Sequence, residues 1–213
     1  MRLRLPLLTA ALVGTLALPG AAQAAEAAPA VPLCIGGIVT LTCAQPAPAP
    51  EPQPAKSCSG RDLVPTAANV ATVRSATLCL VNEERSDRGL GKLKTVTSLE
   101  AVAAAYARRM VRERFFEHTS PDGGTFLSRI KRTGYLKGAV RRWSVGENIA
   151  WGTGSRATPE GIVQAWMQSP GHKRNILNAR FTELGLGTAI GAPLSAGNGS
   201  AATYVNAFGE RRR

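Results

Sequence analysis

The stretch Gly146-Glu147-Asn148-Ile149-Ala150-Trp151-Gly152 decides how this chain is read. It is apolar and strand-like apart from Glu147, and the chain's two histidines, His118 and His172, lie on either side of it in sequence. A carboxylate set in such a run costs free energy unless something pairs with it. If His118, Glu147 and His172 converge, they form one polar centre able to bind a metal or carry acid–base chemistry. The plainer alternative is that Glu147 only hydrogen-bonds to one histidine and orients it.

Working outward, helical spacing of Val70, Val73, Thr77, Leu80 and Val81 predicts a helix from near Pro65 to Arg85, with Gly89 beyond its end. Thr97-Ser98-Leu99-Glu100 has the form of a capping box, opening a second helix that runs to about Arg114. The turn chemistry of Thr119-Ser120-Pro121-Asp122-Gly123-Gly124 then places His118 where a helix gives way to a loop. A short helix follows from Phe126 to Thr133, ending at Gly134.

On the other side of Glu147, Thr158-Pro159-Glu160 makes a good helix start, with a cap and a proline in the first turn. Pro170-Gly171 suits the centre of a type II turn, which would present His172 at the fourth position. Glu183–Ile190 and Ala202–Phe208 read as strands, joined by a Gly/Ser-rich hairpin loop over residues 191–200. Helices around a few strands give an α+β domain covering a small antiparallel sheet.

Toward the start, Met1-Arg2-Leu3-Arg4, an apolar run from Leu5 to Leu18, and Ala22-Gln23-Ala24 have the order of a secretory signal peptide over residues 1–24. The apolar run is shorter than the ~20 residues of a membrane span, and no later segment is apolar enough to cross. Residues 25–57 form an Ala/Pro-rich linker, in which alternating prolines favour an extended spacer. Residues 58–213 hold the folded domain.

Export permits disulfides among Cys34, Cys43, Cys58 and Cys79. Four cysteines allow three pairings, and order in the chain favours Cys34 with Cys43 and Cys58 with Cys79. The first pair would close a small loop within the linker. A zinc–cysteine site is disfavoured because no C-x-x-C spacing occurs.

The formal charge is +12, which falls to +10 without Arg2 and Arg4. Outside a cell that balance favours anionic partners such as wall polymers, lipid head groups or acidic polysaccharide. Nucleic acid is not indicated, because the basic residues are scattered with no recognition motif or aromatic interleaving. A solvated, solubilising surface is the plain reading of the charge.

Several motifs occur in order: Asn82-x-x-Arg85, Phe116-x-His118-x-Ser120-Pro121-Asp122-Gly123, Gly146 through Trp151, Trp166-Met167-x-Ser169-Pro170-Gly171-His172-x-x-Asn175-Ile176-Leu177, and Phe181-Thr182-Glu183-x-Gly185-x-Gly187. The set resembles the CAP superfamily, the SCP-like extracellular domain of cysteine-rich secretory proteins, antigen 5 and pathogenesis-related proteins, in its bacterial form. The resemblance runs from about Leu78 to Gly209. It implies a three-layer α-β-α sandwich, with the Glu147 segment as its central strand, and a cleft holding two histidines and two glutamates. Such histidines can hold a divalent metal, commonly zinc.

By position His118 and His172 match the two histidines, the metal ligands, and Glu147 matches the first glutamate. The second glutamate falls at Ser169 here. Asn148, Ser169, Asn82 and Arg85 are further cleft candidates, although a packing and hydrogen-bond role suits Asn82 and Arg85 better.

The resemblance favours a secreted binding module that engages lipid, sterol, cell-wall glycan or protein. The alternative is a metal-dependent or serine hydrolase acting through His118, Glu147 and His172, since Ser120 and Ser169 lie near the histidines in sequence. No H-E-x-x-H helix and no G-x-S-x-G elbow is present to support a hydrolase.

Overall fold

The computed structural model describes residues 58–195 and 200–212. The expected leader, the expected linker and the expected Cys34–Cys43 pairing lie outside them. In order, the elements are α1 (Val70–Ser86), β1 (Lys94–Thr95), α2 (Thr97–Glu113), α3 (Phe126–Arg132), β2 (Arg142–Thr153), a 3₁₀ turn (Gly154–Ala157), α4 (Pro159–Gln168), α5 (Pro170–Ile176), β3 (Glu183–Ile190) and β4 (Ala201–Arg212).

The four strands form one sheet in the order β1-β3-β4-β2. β4 pairs antiparallel with β3 on one side and with β2 on the other, whereas β1 runs parallel to β3. The sheet is therefore mixed, not wholly antiparallel. The segment carrying Glu147 is an edge strand and not the central one. β4 is long enough to match both neighbours, so the centre falls to it.

Alternation along β4 divides the interior in two. Tyr204 and Phe208 point into a core with Val73, Leu80 and Val81 of α1, Ile162 and Trp166 of α4, and Ile176 of α5. Val205 and Ala207 point the opposite way, into a core with Leu99, Val102, Tyr106 and Met110 of α2 and Ile130 of α3. A sheet buried on both faces by helices is the α-β-α sandwich that the family resemblance implied.

The alternation of leucine and glycine in β3 has the same origin. Leu184 and Leu186 fill the α1/α4/α5 core, while Gly185 and Gly187 lie under α2. A Cβ on Gly187 would stand 2.1 Å from the Ala103 carbonyl carbon, so α2 rests directly on the strand backbone.

Three local expectations are corrected. α1 begins at Val70 and not near Pro65. The chain before it is held in a turn where the Thr66 N–H donates to Asn69 Oδ1 and Asn69 Nδ2 donates to the Val64 carbonyl. No capping box forms at Thr97: Val96 is the N-cap, and its carbonyl accepts from the Leu99 and Glu100 N–H groups. Val96 is drawn into that role because its own N–H is bound to the Leu184 carbonyl beside β1. Pro170-Gly171 is not a type II turn but the first turn of α5, with Pro170 where a missing N–H costs nothing.

Thr158 caps α4 as its sequence indicates, accepting from the Gly161 N–H. Cys58 and Cys79 are joined, closing 21 residues of chain and tying the start of the described domain to α1.

Candidate functional site

His118 reaches its place because α2 stops abruptly. Arg114 takes a left-handed conformation (φ 55°) as the C-cap of α2, and its N–H donates to the Met110 carbonyl. The Tyr106 hydroxyl then donates to the Glu117 carbonyl at 2.6 Å, fixing the backbone beside the histidine.

His118 Nδ1 lies 2.9 Å from Glu147 Oε1, and the Arg129 guanidinium donates to Glu147 Oε2 at 2.7 Å. Both oxygens of the carboxylate are thus occupied. Glu147 is 3 % exposed at its side chain and Arg129 10 %, whereas His118 is 54 % exposed. The ring is pinned at its inner nitrogen and open at its outer face.

Arg129 on α3 was not among the residues singled out in the sequence. Its Nη1 donates to the carbonyls of His118 (3.1 Å) and Gly124 (3.0 Å), and its guanidinium carbon lies 3.3 Å over the centre of the Tyr106 ring. One side chain therefore neutralises the buried carboxylate, holds the His118 loop and stacks on α2. The need for a partner to Glu147 was legible in the sequence. Its identity was not, because Arg129 is one of several basic residues in its region.

His172 comes from the opposite helical layer, in the first turn of α5. Its carbonyl accepts from Asn148 Nδ2 at 3.0 Å, and Asn175 Nδ2 donates to Asn148 Oδ1 (2.8 Å) and to the Glu147 carbonyl (3.2 Å). Asn148 and Asn175 thereby lace α5 onto the edge strand. Burial, and after it the charge on His118, lowers the His172 pKa below its ordinary value.

Glu147 is thus in direct contact with His118, while His172 joins through backbone bonds. Among the described residues, the group of three possible metal ligands that closes to within 4.8 Å is Cys58, Cys79 and Glu83, and its two sulfurs already form a disulfide. A cation in the cleft would have imidazoles as its protein ligands, with Glu147 behind His118 in the orienting role.

Of the remaining candidates, Ser120, Asn82 and Arg85 are hydrogen-bonded within the framework. Ser169 ends α4 and precedes α5, with no side-chain cap bond. The Ser120 hydroxyl is committed to Asp122 Oδ1 and the Gly124 carbonyl within its turn. Asn82 brackets the Leu93 backbone, donating to its carbonyl and accepting from its N–H. Arg85, 1 % exposed, donates to the carbonyls of Gly91, Ile176, Asn178 and Phe181.

The described residues contain no helix long and apolar enough to cross a membrane. The protein YkwD of Bacillus subtilis is 36% identical over 120 residues, which are 56% of this chain and 44% of that protein. The membrane protein YlbC of the same organism is 31% identical over 110 residues, 52% of this chain and 30% of that one. The chain thus spans less than half the length of these curated relatives.

Among solved structures, an extracellular protein containing an SCP domain from Bacillus anthracis aligns with TM-score 0.52 and 26% identity, covering 68% of this chain and 44% of that one. An outer surface protein of Borrelia burgdorferi shares the fold at 24% identity and TM-score 0.50, covering 70% of this chain and 97% of its own. The sequence model of the cysteine-rich secretory protein family matches residues 78–205. This chain belongs to the CAP family.

Proposed function

We propose that the protein is exported and acts by binding, through a cleft in which His118 and His172 hold a divalent cation such as zinc. One observation carries this reading: Glu147 takes the inner nitrogen of His118 and leaves the outer nitrogen of a half-exposed ring for a ligand. A histidine braced from behind by a carboxylate is a common metal ligand. Two imidazoles suit zinc and related ions, with water completing the shell. Such an ion would attract an anionic or carbonyl group of a larger ligand, drawn from lipid, sterol, wall glycan or protein outside the cell.

Export is supported by the leader-like start of the chain, by the Cys58–Cys79 disulfide and by the similarity to an extracellular SCP-domain protein. Binding is favoured over hydrolysis because Glu147 has no free oxygen to act as a base and the Ser120 hydroxyl is held within its own turn. Calorimetry with zinc tests the reading: wild type should give a saturable heat that both His118→Ala and His172→Ala lose. Equal heats from all three proteins would refute it.

A further inference from the structure

Four of the basic residues that look scattered in the sequence, Arg141, Arg142, Arg180 and Arg212, are gathered at one end of the sheet. Arg141, Arg142, Trp143 and Ser144 enter β2 there, Arg180 arrives from the loop before β3, and Glu210 and Arg212 come from the end of β4. Together they line a groove of about 510 Å³. The β2–β4 register sets Arg142 opposite Arg212 and Trp143 opposite Arg211, so strand ends far apart in sequence share this end.

Four guanidiniums face one carboxylate in the groove. Glu210 is bound to Arg212. Among the described residues, no carboxylate pairs with Arg141, Arg142 or Arg180, and all three are exposed. Trp143 is 44% exposed, an unusual place for a large aromatic side chain.

We propose that this groove is a second binding site, distinct from the histidine cleft, for a polysaccharide carrying carboxylate, phosphate or sulfate groups. The proposal rests on the reading of the protein as an exported binder. Guanidiniums suit such oxyanions through paired N–H donors, and an exposed indole offers a flat apolar face to the C–H side of a sugar ring. An anionic membrane fits less well. Trp143 is the single large apolar side chain in the lining, and interfacial binding buries a broad apolar face. Trp143 and Glu147 are four residue steps apart along β2, about 13 Å at the usual rise, so one long polymer could run past both sites.

Equilibrium binding of the purified chain to immobilised polygalacturonate, with dextran as the neutral control, tests the site. Arg142→Ser/Arg180→Ser should weaken binding about tenfold or more, and Trp143→Ala about threefold. The charge-matched pair Lys92→Ser/Arg108→Ser, on exposed residues outside the groove, should stay within about twofold of wild type.

The proposal would be overturned by equal losses in both double variants, which would mean unspecific charge, by no loss in either groove variant, or by loss only toward phosphatidylglycerol vesicles. His118→Ala/His172→Ala should keep wild-type binding to polygalacturonate. Loss there would place the polymer in the cleft instead, while failure of the zinc calorimetry would leave the groove result standing.

Discussion

Arg129 and Glu147 form a deeply buried ion pair behind His118, with Nη2 and Oε2 at 2.7 Å and side chains only 10 % and 3 % exposed. Removing one partner leaves the other charge buried without its counter-ion, a more serious change than the loss of a surface pair. Arg129→Ala should therefore cost about 3–5 kcal/mol in urea denaturation. The double variant Arg129→Met/Glu147→Leu should recover part of that loss, because a well-packed apolar pair carries no desolvation penalty. A cost for Arg129→Ala below about 1 kcal/mol would show that the pair behaves as an exposed one.

Arg85 does for the framework what Arg129 does for the Glu147 carboxylate and the His118 loop. Its guanidinium reaches four backbone carbonyls, one in the loop after α1 and three in the segment from Ile176 to Phe181. Arg85→Leu strands these acceptors in the interior and should cost upwards of about 4 kcal/mol. Arg85→Lys should rescue little, since a compact ammonium cannot span the positions that a planar fork reaches. Wild-type thermal stability in Arg85→Lys would contradict this account.

Most of the layers were legible in the sequence because they rest on local periodicity. The apolar stripe of α2, the Thr158-Pro159 start of α4 and the alternation of β3 and β4 each appear within a dozen residues. What was misread depends on distant partners. The capping box at Thr97 failed because Val96 is held by Leu184, which lies 88 positions later. Pro170-Gly171 is compatible with a turn or a helix start, and the packing of Ile176 into the core favours the helix. β1, only two residues long, leaves too little pattern to detect, so the parallel pairing was missed. At the candidate site, the two histidines stood out by scarcity and Glu147 as a carboxylate in an apolar run. Arg129 did not, because the residue that satisfies Glu147 comes from another element 18 positions away.

Gly187 was legible as part of a strand, but its reason is tertiary. A Cβ there would meet Ala103 and Ala104 backbone atoms at 2.1–2.3 Å, and backbone cannot swing aside as a side chain can. Gly187→Ala should push α2 off the sheet and cost about 3 kcal/mol, the upper part of the range for overpacking. Gly89→Ala makes a useful contrast: nothing lies within 4 Å of its Cβ position, so its penalty comes from the left-handed backbone (φ 69°) alone and should be about 1–2 kcal/mol. Urea midpoints for the two variants would separate the mechanisms, and equal losses would argue against a steric role for Gly187.

The chain's three tyrosines give a test that reads both cores at once. Burial pushes Tyr106 up to about 12, against the lowering influence of the neighbouring Arg129 charge. Burial also raises Tyr135, helped by its hydrogen bond to Glu183, and it raises Tyr204, whose hydroxyl donates to the Ala157 carbonyl. Unfolded tyrosines ionise near pH ~10. Between that pH and the folded values, the unfolded chain releases protons that the folded chain retains, so stability falls as pH rises. Below pH ~10 both states hold those protons and the contribution is complete. Ultraviolet titration should therefore show no tyrosinate in the folded protein at about pH 10.5, and in strong denaturant more than half of the full signal at that pH. A tyrosinate signal from the folded protein at that pH, with the native circular dichroism intact, would mean that at least one of these hydroxyls is open to water.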